Sequence, residues 1–111
     1  MTYDRELADR LRAELSADPR VTEQAMFGGL AFLVGGHMAV AAGEGELMVR
    51  VAPQEITRLL EQPGVEQVQM GSRGPMKGWV SVRPEALADD RALASWVQRG
   101  VSCARSLPPE T

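Results

Sequence analysis

Three kinds of residue in this sequence could support catalysis or metal binding: one histidine, one cysteine and a pair of adjacent aspartates. His37 has no second histidine with which to share a metal ion, and its place after a Gly-Gly pair predicts an exposed residue at the start of a strand. Cys103 lies near the end of a predicted helix, where the negative end of the helix dipole raises the pKa of a thiol, so we interpret it as an inert packing residue. Asp89 and Asp90 stand where a helix is predicted to start, and helix capping accounts for both. The sequence therefore predicts no catalytic residue, no metal site and no cofactor.

A different group of residues has the composition of a binding surface for a charged partner. No acidic residue lies between Glu66 and Glu85, and this window holds three cationic residues and a tryptophan; Arg50 could join them from a neighbouring strand. The candidate interaction residues are Arg50, Arg73, Lys77, Trp79 and Arg83. Such a group could contact phosphate or the acidic face of a protein. The more ordinary interpretation is that the charges solubilise a loop while the tryptophan fills the core.

Composition limits the class of protein. The chain has 111 residues, 44% hydrophobic and 24% charged, which is typical of one globular domain. Its net charge of -3 has the wrong sign for binding nucleic acid by bulk electrostatics. The apolar stretches are much shorter than a bilayer span and no apolar leader starts the chain, so we expect a cytoplasmic protein that makes no membrane contact.

Apolar spacing predicts three helices. In the first, Tyr3, Leu7, Leu11 and Leu15 recur every four residues, with Thr2 as the predicted N-cap and an end near Asp18. A short second helix is predicted to follow Pro53, and Asp89 is predicted to cap a longer last helix. Each helix has one apolar side, which must be buried against another layer.

Between these helices the sequence predicts five strands, at residues 30–34, 37–42, 46–51, 65–70 and 78–82. Gly35 and Gly36 form a two-residue link that suits a tight hairpin, and links this short make neighbouring strands antiparallel. The prediction is an α+β fold with two layers, in which a five-stranded, largely antiparallel sheet packs against the helices in the order α-β-β-β-α-β-β-α. One domain is expected over residues 1–111, with an ordered core of about residues 3–107 and a short proline-rich tail at 108–111.

Two motifs resemble a known family. Met26-Phe27-Gly28-Gly29 precedes an apolar strand, and Gly74-Pro75-Met76-Lys77-Gly78-Trp79-Val80 resembles a Pro-Met-x-Gly-Trp segment. With these motifs nearly the whole chain resembles the N-terminal domain of the TfoX family, also called Sxy. We expect structural roles for the motif residues Met26, Phe27, Gly28, Gly29, Pro75, Met76 and Gly78, with Gly28 and Gly29 allowing a bulge or a close backbone approach.

The resemblance implies a regulatory domain from proteins that control natural competence, with a fold similar in shape to secretion chaperones and no enzyme activity. Full-length competence regulators of this family carry a second, helical domain, so this chain is expected to be a stand-alone form of the first. The leading hypothesis is a non-enzymatic regulatory or adaptor module that acts on competence or transcription by protein contact. Nucleic-acid binding by the cationic loop is the alternative, although the net charge disfavours it. A small-ligand or enzymatic role using His37 and a distant carboxylate comes third, and a homodimer is an open alternative because an open sheet has two edges.

Overall fold

The computed structural model describes residues 4–26, 29–43, 45–69 and 75–107, and at positions 26, 69 and 75–77 it describes the backbone alone. The helices are α1 (Arg5–Leu15), α2 (Ile56–Leu59) and α3 (Asp90–Arg105); the strands are β1 (Val21–Met26), β2 (Gly29–Val34), β3 (His37–Ala42), β4 (Leu47–Arg50), β5 (Val65–Gln69) and β6 (Pro75–Val82). Short 3-10 turns at Pro53–Glu55 and Pro84–Ala86 precede α2 and α3. Within the described ranges, no helix is long and apolar enough to cross a bilayer.

The two longer helices begin at aspartate caps. Asp4 caps α1 by accepting a hydrogen bond of 3.2 Å from the Leu7 amide, so the prediction of Thr2 as the cap was wrong. The carboxylate satisfies an amide that would otherwise lack a partner in the first turn of the helix. Asp89 caps α3 by accepting a bond of 3.1 Å from the Arg91 amide, as predicted.

The described strands form one antiparallel sheet of six members in the order β1-β2-β3-β4-β6-β5, not the five that the sequence predicted. The missed strand is β1, which pairs with β2 from Val21↔Val34 to Met26↔Gly29 without a register shift. The middle residues of β1, 22–25, are all exposed, so no apolar alternation marks this strand in the sequence. The antiparallel pairing of neighbouring strands is confirmed.

The main core lies between one face of this sheet and the helices. On the sheet side, alternate residues of β2 and β4, such as Phe32 and Val49, are almost fully buried. On the helix side, Leu11 of α1 and Val97 of α3 are inaccessible to solvent. The helices therefore form one layer over the sheet, as the amphipathic patterns predicted.

A glycine brings α3 unusually close to the sheet. A Cβ atom at Gly100 would overlap the carbonyl oxygen of Ala39 and a methyl group of Val40. Ala39 is fully buried, at the point where the β2–β3 register shifts. The absence of a side chain at Gly100 thus sets how closely the helix approaches β3.

Candidate interaction surface

The sheet face turned away from the helices carries the residues best suited to contact a partner. Strand alternation places the neighbours of the core residues on this face, and the paired positions Leu33↔Met38 and Arg50↔Trp79 share it with Met48. Leu33, Met38, Met48 and Arg50 are half-buried, while Trp79 is 4% exposed. We refer to these five residues as the outer sheet face.

The centre of the outer sheet face is an arginine held in a defined orientation. The Nε atom of Arg50 donates a hydrogen bond of 2.6 Å to the carbonyl oxygen of Met38. Its guanidinium carbon lies 5.0 Å from the centroid of the Trp79 ring, in a cation–π contact. Among the described residues, none accepts a hydrogen bond from the two terminal nitrogens of Arg50. The Nε bond and the ring contact fix the direction of these nitrogens, which are donors of the kind that pair with carboxylates.

A carboxylate lies on the same side of β6. The hydroxyl of Ser81, which is 4% exposed, donates a hydrogen bond of 2.5 Å to Glu46. Since Ser81 follows Trp79 by two positions, both side chains point to the outer side of the sheet. This acidic group on the same side of the sheet as Arg50 makes the surface mixed in charge, which suits a protein partner better than a row of phosphates.

The predicted interaction residues are only partly brought together. Arg50 and Trp79 are in contact, but Arg83 lies four positions beyond Trp79, about 13 Å along an extended chain. Arg83 is exposed, and its Nε atom is 3.4 Å from a carboxylate oxygen of Glu66 on β5. Arg73 lies outside the described residues and Lys77 is described by its backbone alone, so the parts assigned to these two residues stay predictions.

Most of the described positive charge is already neutralised. Of the ten arginines whose side chains are described, seven form ion pairs with carboxylates. They are Arg10, Arg12, Arg20, Arg58, Arg83, Arg99 and Arg105. Paired cations offer little to phosphate, because binding would first require them to be separated from their carboxylates.

His37 and Cys103, which we considered for chemistry, are both half-buried. His37 starts β3 as predicted but is not exposed, so that part of the prediction was wrong. Burial raises the pKa of the Cys103 thiol, while the positive charge of Arg50 partly opposes this effect. The direction predicted for this pKa is confirmed, but burial is its main cause.

Cys103 also lines an open groove of about 440 Å³ between α3 and the segment that follows β4. The groove contains Glu55 and Arg99, which form an ion pair of 3.2 Å. Because the two charges satisfy each other, they give the groove no unpaired charge with which to hold a polar ligand.

Two glycines of the family motifs have roles that depend on the backbone. A Cβ atom at Gly29 would lie 2.5 Å from the carbonyl oxygen of Ala42, so β2 and β3 approach each other closely at this glycine. Gly78, within β6, has a φ of 83°, a conformation that other residues rarely adopt. Phe27 and Gly28 lie outside the described residues, and Met26, Pro75 and Met76 have only their backbones described.

The family model described as the TfoX N-terminal domain matches residues 13–104, from the last turn of α1 to the last turn of α3. The chain belongs to this family. The resemblance inferred from the two motifs is therefore confirmed, and the matched TfoX N-terminal region contains all six described strands. No match was found among the curated proteins.

Arg50 and Trp79 were predicted from the sequence as interaction residues, whereas Leu33, Met38 and Met48 were not assigned to the same surface. The available signal was the two-residue alternation of each strand, which predicts that every second residue faces away from the core. That signal does not show which strands lie side by side. Here β4 pairs with β6 instead of β5, and this pairing brings Arg50 to Trp79.

Proposed function

We propose that this TfoX N-terminal domain is a non-enzymatic regulatory or adaptor module that binds another protein through the outer sheet face. The observation that carries the proposal is the Arg50–Trp79 contact surrounded by half-buried Leu33, Met38 and Met48. Aromatic residues, arginine and methionine are the types enriched at the centres of protein interfaces. Membership of the TfoX N-terminal domain family supports a regulatory role.

The chemistry of the face specifies the partner. The terminal nitrogens of Arg50 suit an acidic side chain, and the half-buried Met38 and Met48 can adapt to apolar groups beside it. A mixed acidic and apolar segment of a protein fits both requirements. In the proposed role, the regulation of transcription or competence depends on this contact and not on a reaction catalysed by the chain.

The test compares two arginine variants in a partner-capture experiment. The wild-type chain, cross-linked in extract from its native cell, should retain a reproducible protein partner that mass spectrometry identifies. Arg50→Ala should weaken binding to that purified partner by about tenfold or more, as expected for an arginine at the centre of an interface. The matched control is Arg91→Ala, which removes an exposed arginine of α3 far along the chain from the outer face. Equal affinity of both variants for the partner would contradict the proposal.

Direct DNA binding through Arg73, Lys77 and Arg83 makes a different prediction in the same study. A phosphate-binding chain should retard DNA at low salt, and the double variant Arg73→Ala/Lys77→Ala should lose that retention. The ion pair between Arg83 and Glu66 weighs against this alternative. If the wild-type chain retards DNA and the double variant does not, DNA binding would replace protein contact as the leading proposed function.

A further inference from the structure

We propose that the open edge of β1 is a self-association site, at which β1 pairs antiparallel with β1 of a second copy around a two-fold axis at Gln24. The site is distinct from the outer sheet face, because it uses backbone groups at the end of the sheet. The proposal is therefore independent of the proposed function.

The backbone geometry shows which groups of β1 point outward. Gly35 donates to the carbonyl of Arg20 across the β1–β2 pair, and the register runs on unbroken from there. Since alternate pairs of an antiparallel ladder exchange hydrogen bonds, Thr22 and Gln24 bond to β2 while Glu23 and Ala25 direct their N–H and C=O groups away from it. Within the described ranges, β2 is the only strand that pairs with β1.

Apart from the charge of Glu23, the edge of β1 lacks the features that usually prevent strand pairing. It contains no proline and no lysine, and its six paired positions show no bulge. The opposite edge differs, because β5 has a register shift between Gln67 and Gln69. Of the two sheet edges in the described structure, β1 is thus the regular one.

The side chains distinguish between the two registers, with axes at Glu23 and Gln24, that pair the most residues of β1. Residues opposite each other in antiparallel strands point to the same face, so the two-fold axis must pass through a residue position. An axis at Glu23 would place two carboxylates face to face, which is destabilising. An axis at Gln24 places the two Gln24 amides opposite each other and Glu23 opposite Ala25, with four backbone hydrogen bonds from Glu23 and Ala25 of the two copies.

The carboxylate nearest this axis is already neutralised. Arg12 of α1 holds Glu23 through two hydrogen bonds, from Nε at 2.7 Å and from a terminal nitrogen at 2.9 Å. This contact lowers the pKa of Glu23 and keeps the side chain over its own α1. In the Gln24 register, each of these ion pairs faces Ala25 of the other copy and not a second carboxylate.

Light scattering of the wild-type chain and two Ala25 variants tests the proposal. The wild-type chain should have the mass of two copies at high micromolar concentration. Ala25→Pro removes an outward N–H without removing a hydrogen bond to β2, so it should shift the mass to one copy. Ala25→Val keeps the N–H and should remain dimeric. Circular dichroism would verify that each variant is folded, and a monomeric wild-type chain would overturn the proposal.

Cysteine cross-linking tests the register without relying on the proline variant. In a Cys103→Ser background, Gln24→Cys should form a disulfide-linked dimer under mild oxidation, because the two Gln24 Cα atoms would be about 4.5 Å apart. Thr22→Cys is the matched control, since its two copies would be separated by about 13 Å along the strands. Equal cross-linking by both variants, or none by Gln24→Cys, would overturn the proposed pairing. The proposed pairing would also be overturned if the chain were monomeric and bound an unrelated extended peptide along β1.

Discussion

Individual charged residues connect parts of this molecule that are distant in sequence. Asp18, which follows α1, accepts a hydrogen bond of 3.0 Å from the Arg20 amide and one of 2.8 Å from Arg105 near the end of α3. The Arg20 amide is the main cause of the lowered pKa of Asp18, and the charges of Arg105 and Arg20 add to it. The ionised carboxylate therefore links the two longest helices.

This lowered pKa predicts a pH-dependent contribution to stability. Because the pKa of Asp18 is lower in the folded than in the unfolded chain, its contribution is complete above the unfolded value of about 3.9 and is lost as the pH falls through the folded value. Urea unfolding should show Asp18→Asn to be less stable than the wild type near neutral pH, with the difference shrinking in strong acid. A difference that stays constant with pH would contradict this assignment.

Cys103 should react slowly in the folded protein. Burial both raises the pKa of its thiol and limits access of a reagent. The rate of labelling by a thiol-specific disulfide reagent near neutral pH should be lower than that of the urea-unfolded chain by roughly an order of magnitude. Equal rates in the two states would show that the thiol is accessible and ionised in the fold.

At the scale of elements, the contact of α3 with the sheet organises the main core. The helix presents one apolar side that includes Leu93, Trp96 and Val97, all of them buried. It packs against β3 and β4, with Gly100 at the point of closest approach. Helix propensity alone would favour alanine over glycine at this position by about 1 kcal/mol, so packing is the reason for the glycine.

Gly100→Ala should therefore destabilise the protein in spite of its better helix propensity. The added methyl group would force α3 away from the Ala39 carbonyl, at a net cost of about 1–3 kcal/mol in the free energy of unfolding. Urea unfolding measures this cost, with Ser102→Ala as the control because Ser102 is exposed on the same helix. The control should change stability by no more than about 0.5 kcal/mol. A stabilised Gly100→Ala variant would show that the helix can shift without loss.

At the scale of the whole molecule, the sheet has buried residues on both of its faces. The main core contains Trp96 between sheet and helices, whereas Trp79 is buried outside that core, on the other face. β4 and β6 supply residues to both faces of the sheet. Unfolding of the packing on one face should therefore also disrupt the packing on the other. We therefore propose that the chain unfolds as one cooperative domain.

The two tryptophans allow this cooperativity to be measured. Trp96→Phe leaves Trp79 to report on the outer face, and Trp79→Phe leaves Trp96 to report on the main core. In each variant, the urea midpoint from fluorescence should coincide with the midpoint from far-ultraviolet circular dichroism, as a two-state transition requires. Separate midpoints in either variant would show that the two sides unfold independently.

The sequence by itself determined the features that depend on local chemistry. The apolar spacing of α1 and α3, the Asp89 cap, the Gly35–Gly36 hairpin and the family motifs could all be recognised within a few consecutive residues. Each of them depends on the backbone preferences of those residues or on the periodicity of one element. For this reason the class of fold was correct although the strand count was not.

Only the tertiary structure decided the features that depend on strand pairing. The exposed residues of β1 give no apolar pattern, so this strand becomes visible only through its register with β2. The pairing of β4 with β6 places Arg50 on Trp79, 29 positions away in the sequence, and leaves β1 at one edge of the sheet. The outer sheet face and the open edge both follow from the order of strands. That order results from packing among distant residues, which local periodicity does not encode.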